Sequence, residues 1–151
     1  MNEQQQLVNI PLGVIILGRI NCFFLGIVFF GMFLSFYTKI TPEKFDIIVQ
    51  TLKNKGFYQE VTMEQFRLAI KLYMFSSCIF FISGLGLVLK KEWGRILTLI
   101  FSFVIVIFTL LSVLSQPAII IQAMIFIIYP GILIFYFTNK NVEKFFKISQ
   151  K

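Results

Sequence analysis

The sequence predicts an all-α protein: a bundle of four transmembrane helices, with a short amphipathic helix in the first loop and a basic amphipathic C-terminal tail. Three observations carry this. Hydrophobic residues make up 58% of the 151 residues and charged residues only 14%, against about 25% charged in a soluble domain. Long apolar runs recur with almost no charge inside them, as membrane spans do. Phenylalanine alone occurs 20 times. A water-soluble chain of this length does not hide that much apolar surface, so its solvent is lipid. The length suits one compact integral membrane domain, residues 1–151.

A helix rises about 1.5 Å per residue and the hydrocarbon core is about 30 Å thick, so a crossing takes about 20 apolar residues. The first span lies within 10–37, where Arg19 is the one charge, and the second within 66–89. The stretch 96–137 is about 63 Å long at the same rise, too long for one crossing. "SQP" at 115–117 divides it into spans 96–114 and 118–137. Pro117 suits the first turn of a new helix, where a missing N–H costs little. "MNEQQQLVN" lacks the basic region of a signal peptide, and no small-residue cleavage site closes the following run. The first span is therefore expected to be retained.

An even number of spans puts both termini on one side. That side carries seven cations: Lys90, Lys91 and Arg95 in the second loop, and Lys140, Lys144, Lys147 and Lys151 in the tail. The other side has Lys39, Lys44, Lys53 and Lys55, with Arg67 and Lys71 at its edge. The excess favours cytoplasmic termini in a cell (inner) membrane. Trp93 and Arg95 then read as anchors at the inner headgroup boundary.

The outer loop, 38–65, is patterned. "TPEKFDIIVQTLKNKG" (41–56) offers Thr41 as a cap, Pro42 as the first helical residue and Gly56 as a stop. Phe45, Ile48, Val49 and Leu52 fall at i, i+3, i+4, i+7, one apolar stripe. This is a short amphipathic helix resting on the bundle or the outer interface. "TMEQ" (62–65) has the capping-box spacing that opens the second span. In the tail, 138–151, Val142, Phe145, Phe146 and Ser149 share one face, and Lys140, Lys144, Lys147 and Lys151 another. That pattern suits an anionic inner leaflet.

Within the spans, small residues mark helix seams, because close backbone approach drives association in lipid. Gly18, Cys22 and Gly26 recur every fourth position in the first span; Ser76, Ser77, Cys78, Ser83, Gly84 and Gly86 populate the second. Thr98, Ser102, Thr109, Ser112 and Gln116 line the third, and Gln122, Tyr129 and Tyr136 the fourth. Pro130 interrupts the fourth span, where a kink is expected. Counted from the cytoplasmic ends, Arg19, Asn21, Ser83, Ser102 and Tyr129 fall roughly 9–15 Å deep. They are the candidate polar layer, a place for contact with an anion or a lipid headgroup. The preferred place for Arg19 is the inner boundary, with its stem snorkelling to phosphates, and the layer is the alternative.

The composition also excludes chemistry. There is no histidine, the two cysteines lie in apolar runs, and no span holds a carboxylate. No triad, nucleophile–base pair or metal cluster can be assembled from the motifs, so no catalytic residue, cofactor or metal is assigned and an enzyme is not expected. Small proton-coupled drug exporters need a membrane-embedded glutamate, which rules out that family. The net charge of +7 suits anionic lipid rather than nucleic acid, since no basic run stands apart from the spans.

Three stretches carry a resemblance: "PLGVIILGRINCFFLGIVFF", "KKEWGRILTLIFSFVIVIFTLL" and "FYFTNKNVEKFF". Together they resemble a group of small four-span bacterial membrane proteins with no assigned activity. Its pattern has a Pro-x-Gly-Val opening, a Trp-Gly-Arg entry to the third helix and an N-x-x-V-x-x-x-F close. Here the pattern positions are Pro11, Gly13, Val14, Trp93, Gly94, Arg95, Val142 and Phe146. The resemblance implies architecture alone. The function expected is a non-enzymatic scaffold or a subunit of a membrane assembly, partnered by another membrane protein or by its own copies. The alternative is a small-solute, anion or lipid transporter or channel using the layer around Arg19.

Overall fold

The computed structural model describes residues 11–54, 61–115 and 120–148. Gly56, Gln116, Pro117, Ser149 and Lys151 lie outside them. The structure is all-helical, at 92% helix, with no strand among the described residues. We number its six helices α1 (Leu12–Lys39), α2 (Pro42–Asn54), α3 (Met63–Val88), α4 (Glu92–Ser115), α5 (Ile120–Phe137) and α6 (Lys140–Ile148). Three are long and apolar enough to cross a membrane: Leu12–Lys39, Met63–Val88 and Glu92–Leu114, with mean hydropathies of 2.2, 1.8 and 2.8. α5, at 18 residues, is apolar but shorter.

The local signals at helix ends form as the chain predicts. Thr62 Oγ1 accepts from the Gln65 amide at 3.2 Å, and Gln65 Oε1 accepts from the Thr62 amide at 3.0 Å, so both halves of the capping box are made. α2 starts at Pro42 behind Thr41, whose carbonyl accepts from the Phe45 amide at 3.0 Å. Its apolar stripe turns inward: Phe45 is buried and meets Phe66 of α3 at 5.6 Å between ring centroids. α2 therefore rests on the bundle.

The α3–α4 turn closes with the double hydrogen bond of a Schellman motif. The Lys91 amide reaches the Gly86 carbonyl at 2.8 Å and the Lys90 amide the Leu87 carbonyl at 3.0 Å. Lys90 occupies the left-handed position at φ 56°. Glycine is usual there, because a Cβ crowds the backbone. The turn also brings two real glycines together. A Cβ on Gly94 would lie 2.6 Å from the Gly86 Cα, and one on Gly86 would also meet the Trp93 ring at 2.8 Å.

α1 packs along α3, α3 on α4, and α4 on α5. Backbone contact sets the first interface. A Cβ on Gly84 would lie 2.8 Å from both the Cys22 Cα and the Gly18 carbonyl oxygen. A Cβ on Gly26 would lie 2.8 Å from the Phe81 Cβ. The Gly18–Cys22–Gly26 stripe is thus the seam that the small-residue spacing predicts. Its geometry is not a plain α-helix, however. Ile20–Val28 is a π-helical segment, in which each N–H reaches back five residues. The wider turn lets Asn21 and Gly26, five apart, share the buried face.

The main core lies at one end of the bundle. Val14 of α1, Leu87 of α3 and Leu133 and Phe137 of α5 pack with Val142, Phe145 and Phe146 of α6. The tail was expected to lay its apolar face on lipid. Instead α6 folds back, and that face caps the bundle. An amphipathic pattern asks for an apolar neighbour and does not distinguish acyl chains from a protein core. Burying each of these side chains from water contributes about 1.5–3 kcal/mol, ample to favour docking over exposure.

Candidate functional site

Of the candidate residues, Asn21 lies on α1, Ser83 on α3, Ser102 on α4 and Tyr129 on α5, and Asn21 meets Tyr129. Asn21 is buried by the π segment, Ser83 by the Gly84 contact, and Ser102 by its position on the inward side of α4. Their exposures are 0%, 1% and 0%. Tyr129 of α5 is half-buried, and its hydroxyl donates to Asn21 Oδ1 across 108 positions of sequence. Ser83 Oγ donates locally, to the Phe80 carbonyl at 3.1 Å. Asn21 Nδ2 and Ser102 Oγ are buried with no hydrogen-bond partner.

The structure separates Arg19 from these four. Its side chain is exposed on the outer surface of α1. The reason is angular: Gly18 holds the contact with α3, and the next residue turns away from it. A Cβ on Gly18 would lie 3.0 Å from the Leu87 Cβ and 3.2 Å from Val88 Cγ2. Val88 ends α3. Arg19 is therefore level with the last turn of α3, beside the Lys90–Lys91 turn. The start of α1, ahead of Arg19, meets the end of α5 and the α6 core. Val14 joins their core there, and the Gly13 surface is covered by the Tyr136 ring.

Arg95 also differs from its expected role. It is only 8% exposed. Nη1 donates to the Phe137 carbonyl at 3.1 Å and Nη2 to Glu92 Oε1 at 3.3 Å, while Nε has no partner. A cation in the first turn of α4 is at the wrong end of that dipole. Its head, however, reaches the carbonyl end of α5, where a cation is favoured. Arg95 thus ties α4 to the α5–α6 corner rather than reaching outward. Trp93 remains 46% exposed, its ring edge against Gly86, and Lys140, Lys144 and Lys147 lie on the exposed side of α6. Lys147 Nζ donates to Glu143 Oε1 at 2.6 Å. That bond and its charge hold the Glu143 carboxyl below its ordinary range, with smaller help from Arg95 and Lys140. The same bond raises Lys147.

No family model matches the chain, and neither a curated protein nor a solved structure is significantly similar to it.

The site's chemistry is that of packing and hydrogen bonding. Among the described residues, no three of histidine, cysteine, aspartate and glutamate gather into a metal cage. Cys22 and Cys78 are both free thiols, half-buried and exposed. Of the residues that sequence reasoning set at one depth, the structure buries Asn21, Ser83 and Ser102 and joins Asn21 to Tyr129. It missed the Arg95–Phe137 link, for which an Arg three residues after Glu at a helix start gives only a local signal.

Proposed function

We propose that this chain is a non-enzymatic integral membrane protein of four spans, acting as a scaffold or as a subunit of a membrane assembly, with both termini on the cytoplasmic side of a cell membrane. The observation that carries the reading is the burial of Asn21, Ser83 and Ser102. A pathway for ions or solutes needs polar atoms that water can touch, and Asn21, Ser83 and Ser102 are 0–1% exposed. One of their bonds joins two helices, Tyr129 to Asn21, the usual use of such groups in lipid. The outward faces, by contrast, are large and apolar: Phe23, Phe24, Phe75, Phe103, Phe108, Phe126 and Phe135 are all exposed from the protein. They suit acyl chains or another membrane protein.

The α5 helix, about 27 Å long at α-helical rise, is the fourth crossing in this reading. Arg19 and Lys39 bracket the first. Twenty residues separate them, about 30 Å at α-helical rise and somewhat less across the π turns, the thickness of a hydrocarbon core. Arg19 then snorkels to headgroups at the end that holds Lys90, Lys91 and the termini. The transport reading keeps one observation in its favour: Asn21 Nδ2 and Ser102 Oγ are buried donors without partners.

Affinity purification of the tagged full chain from native membranes, after chemical cross-linking, tests the scaffold reading. A stoichiometric partner, or a defined homo-oligomer, is expected. A solitary monomer that conducts ions in planar bilayers would replace it with the transport reading.

A further inference from the structure

At the end of the bundle remote from α6, the chain turns sharply out of α1. Lys39 closes that helix, Ile40 is extended at φ −76° and ψ 114°, and α2 begins two residues later. The corner leaves a crevice of about 260 Å³, lined by Ser35, Phe36, Lys39, Ile40, Lys44 and Ile48. Its floor is apolar, formed by Phe36, Ile40 and Ile48. Its mouth carries two ammonium groups and a hydroxyl, and its lining holds no carboxylate. Lys44 Nζ donates to the Lys39 carbonyl at 3.4 Å, which holds one ammonium at the rim. Phe45 fixes α2 in place through its contact with Phe66.

The level of the crevice is also fixed. It lies at the last turn of a 28-residue apolar helix, next to Tyr37, whose ring meets Lys71 Nζ at 5.6 Å. An aromatic–cation band of this kind is typical of a membrane boundary.

We propose that this crevice holds an anionic phospholipid of the adjoining leaflet. The phosphate sits between Lys39 and Lys44, Ser35 Oγ donates to an ester or phosphate oxygen, and the first acyl methylenes lie on Phe36, Ile40 and Ile48. Charge selects this occupant: two cations face no acid, so a zwitterionic headgroup brings a cation that nothing there accepts. The volume fits a phosphate headgroup and the start of a chain, being just below that of pockets for drug-sized ligands, about 300–1,000 Å³. The proposal rests on the bilayer placement above. A chain soluble without detergent fails that placement, whereas a detergent-bound chain with no lipid preference fails this site alone.

The test is native mass spectrometry of the full chain in detergent, titrated with phosphatidylglycerol or phosphatidylcholine of matched acyl chains. The wild type is expected to retain one phosphatidylglycerol at concentrations where phosphatidylcholine is lost. Lys39→Gln/Lys44→Gln should reduce that preference about thirtyfold, the ratio corresponding to about 1 kcal/mol for each surface lysine. Lys39→Arg/Lys44→Arg should keep most of it, which shows that the corner still folds. Lys53→Gln, on the same helix as Lys44 but outside the crevice lining, should leave it unchanged. Equal retention of both lipids by the wild type, or an equal loss in Lys53→Gln, would overturn the site. Displacement by millimolar inorganic phosphate would also overturn it, since free anion would then suffice without the apolar floor.

Discussion

Replacing Gly84 by alanine probes the close backbone contact between α1 and α3. The added Cβ would lie 2.8 Å from the Cys22 Cα and 2.8 Å from the Gly18 carbonyl oxygen, with the Cys22 amide nearer still. Carbon atoms in contact rest about 3.5–4.0 Å apart, so α1 and α3 must separate by at least about 0.7 Å. The obstructing atoms are backbone, and no rotamer relieves them. Overpacking of this kind costs about 1–3 kcal/mol, while alanine returns about 1 kcal/mol of helix propensity over glycine. The net expectation is a loss of up to about 2 kcal/mol, or up to about 4–8 °C in Tm for a chain of this size. Gly31 supplies the control, because a Cβ there meets nothing within 4 Å. Gly31→Ala should be neutral or slightly stabilising. The assay is thermal or SDS-induced unfolding in detergent micelles, followed by circular dichroism. A Gly84→Ala protein as stable as Gly31→Ala would refute the tight α1–α3 seam.

Three further outcomes follow from named contacts. Lys90→Gly should raise stability by about 1–2 kcal/mol, since it relieves the left-handed backbone at φ 56°; a lowered Tm would contradict this. Tyr129→Phe removes the donor to Asn21 Oδ1, and a double-mutant cycle with Asn21→Leu should return a coupling of about 0.6–1.7 kcal/mol; zero coupling would dissolve the inter-helix bond. Glu143 is depressed below its ordinary 4.5 and Lys147 raised above 10.5. The glutamate's contribution is therefore present above about pH 4.5 and lost as pH falls through its lower folded value, while the lysine's is lost only as pH rises beyond about 10.5. Protection factors of the α6 amides, with intrinsic exchange rates divided out, should fall at pH 3 relative to pH 7, and Glu143→Gln should flatten that acid limb.

Much of the architecture was readable because it rests on local rules. The capping box at Thr62–Gln65, the start of α2 at Pro42 and its stripe through Phe45 depend on neighbours within one or two turns. So does the small-residue seam of α1. The remainder depends on distant parts of the chain. Nothing around Ile20–Val28 announces a π segment, because that choice is made by the fit of Gly18, Cys22 and Gly26 against α3. The inward turn of α6 depends on Val14, Leu87 and Phe137 offering an apolar surface at that end. Arg95 and Arg19 show the limit best. Residue type suggested an interfacial anchor for Arg95, and for Arg19 the inner boundary, with a buried layer as the alternative. The fold buries the first on the Phe137 carbonyl and exposes the second.

Water access to Ser102 tests the closed interior most directly. In a Cys22→Ala/Cys78→Ala background held in lipid nanodiscs, Ser102→Cys should resist a membrane-impermeant maleimide, while Lys91→Cys in the α3–α4 turn reacts promptly. Prompt labelling at position 102 would mean that solvent enters among α1, α3, α4 and α5, and the scaffold reading would fall.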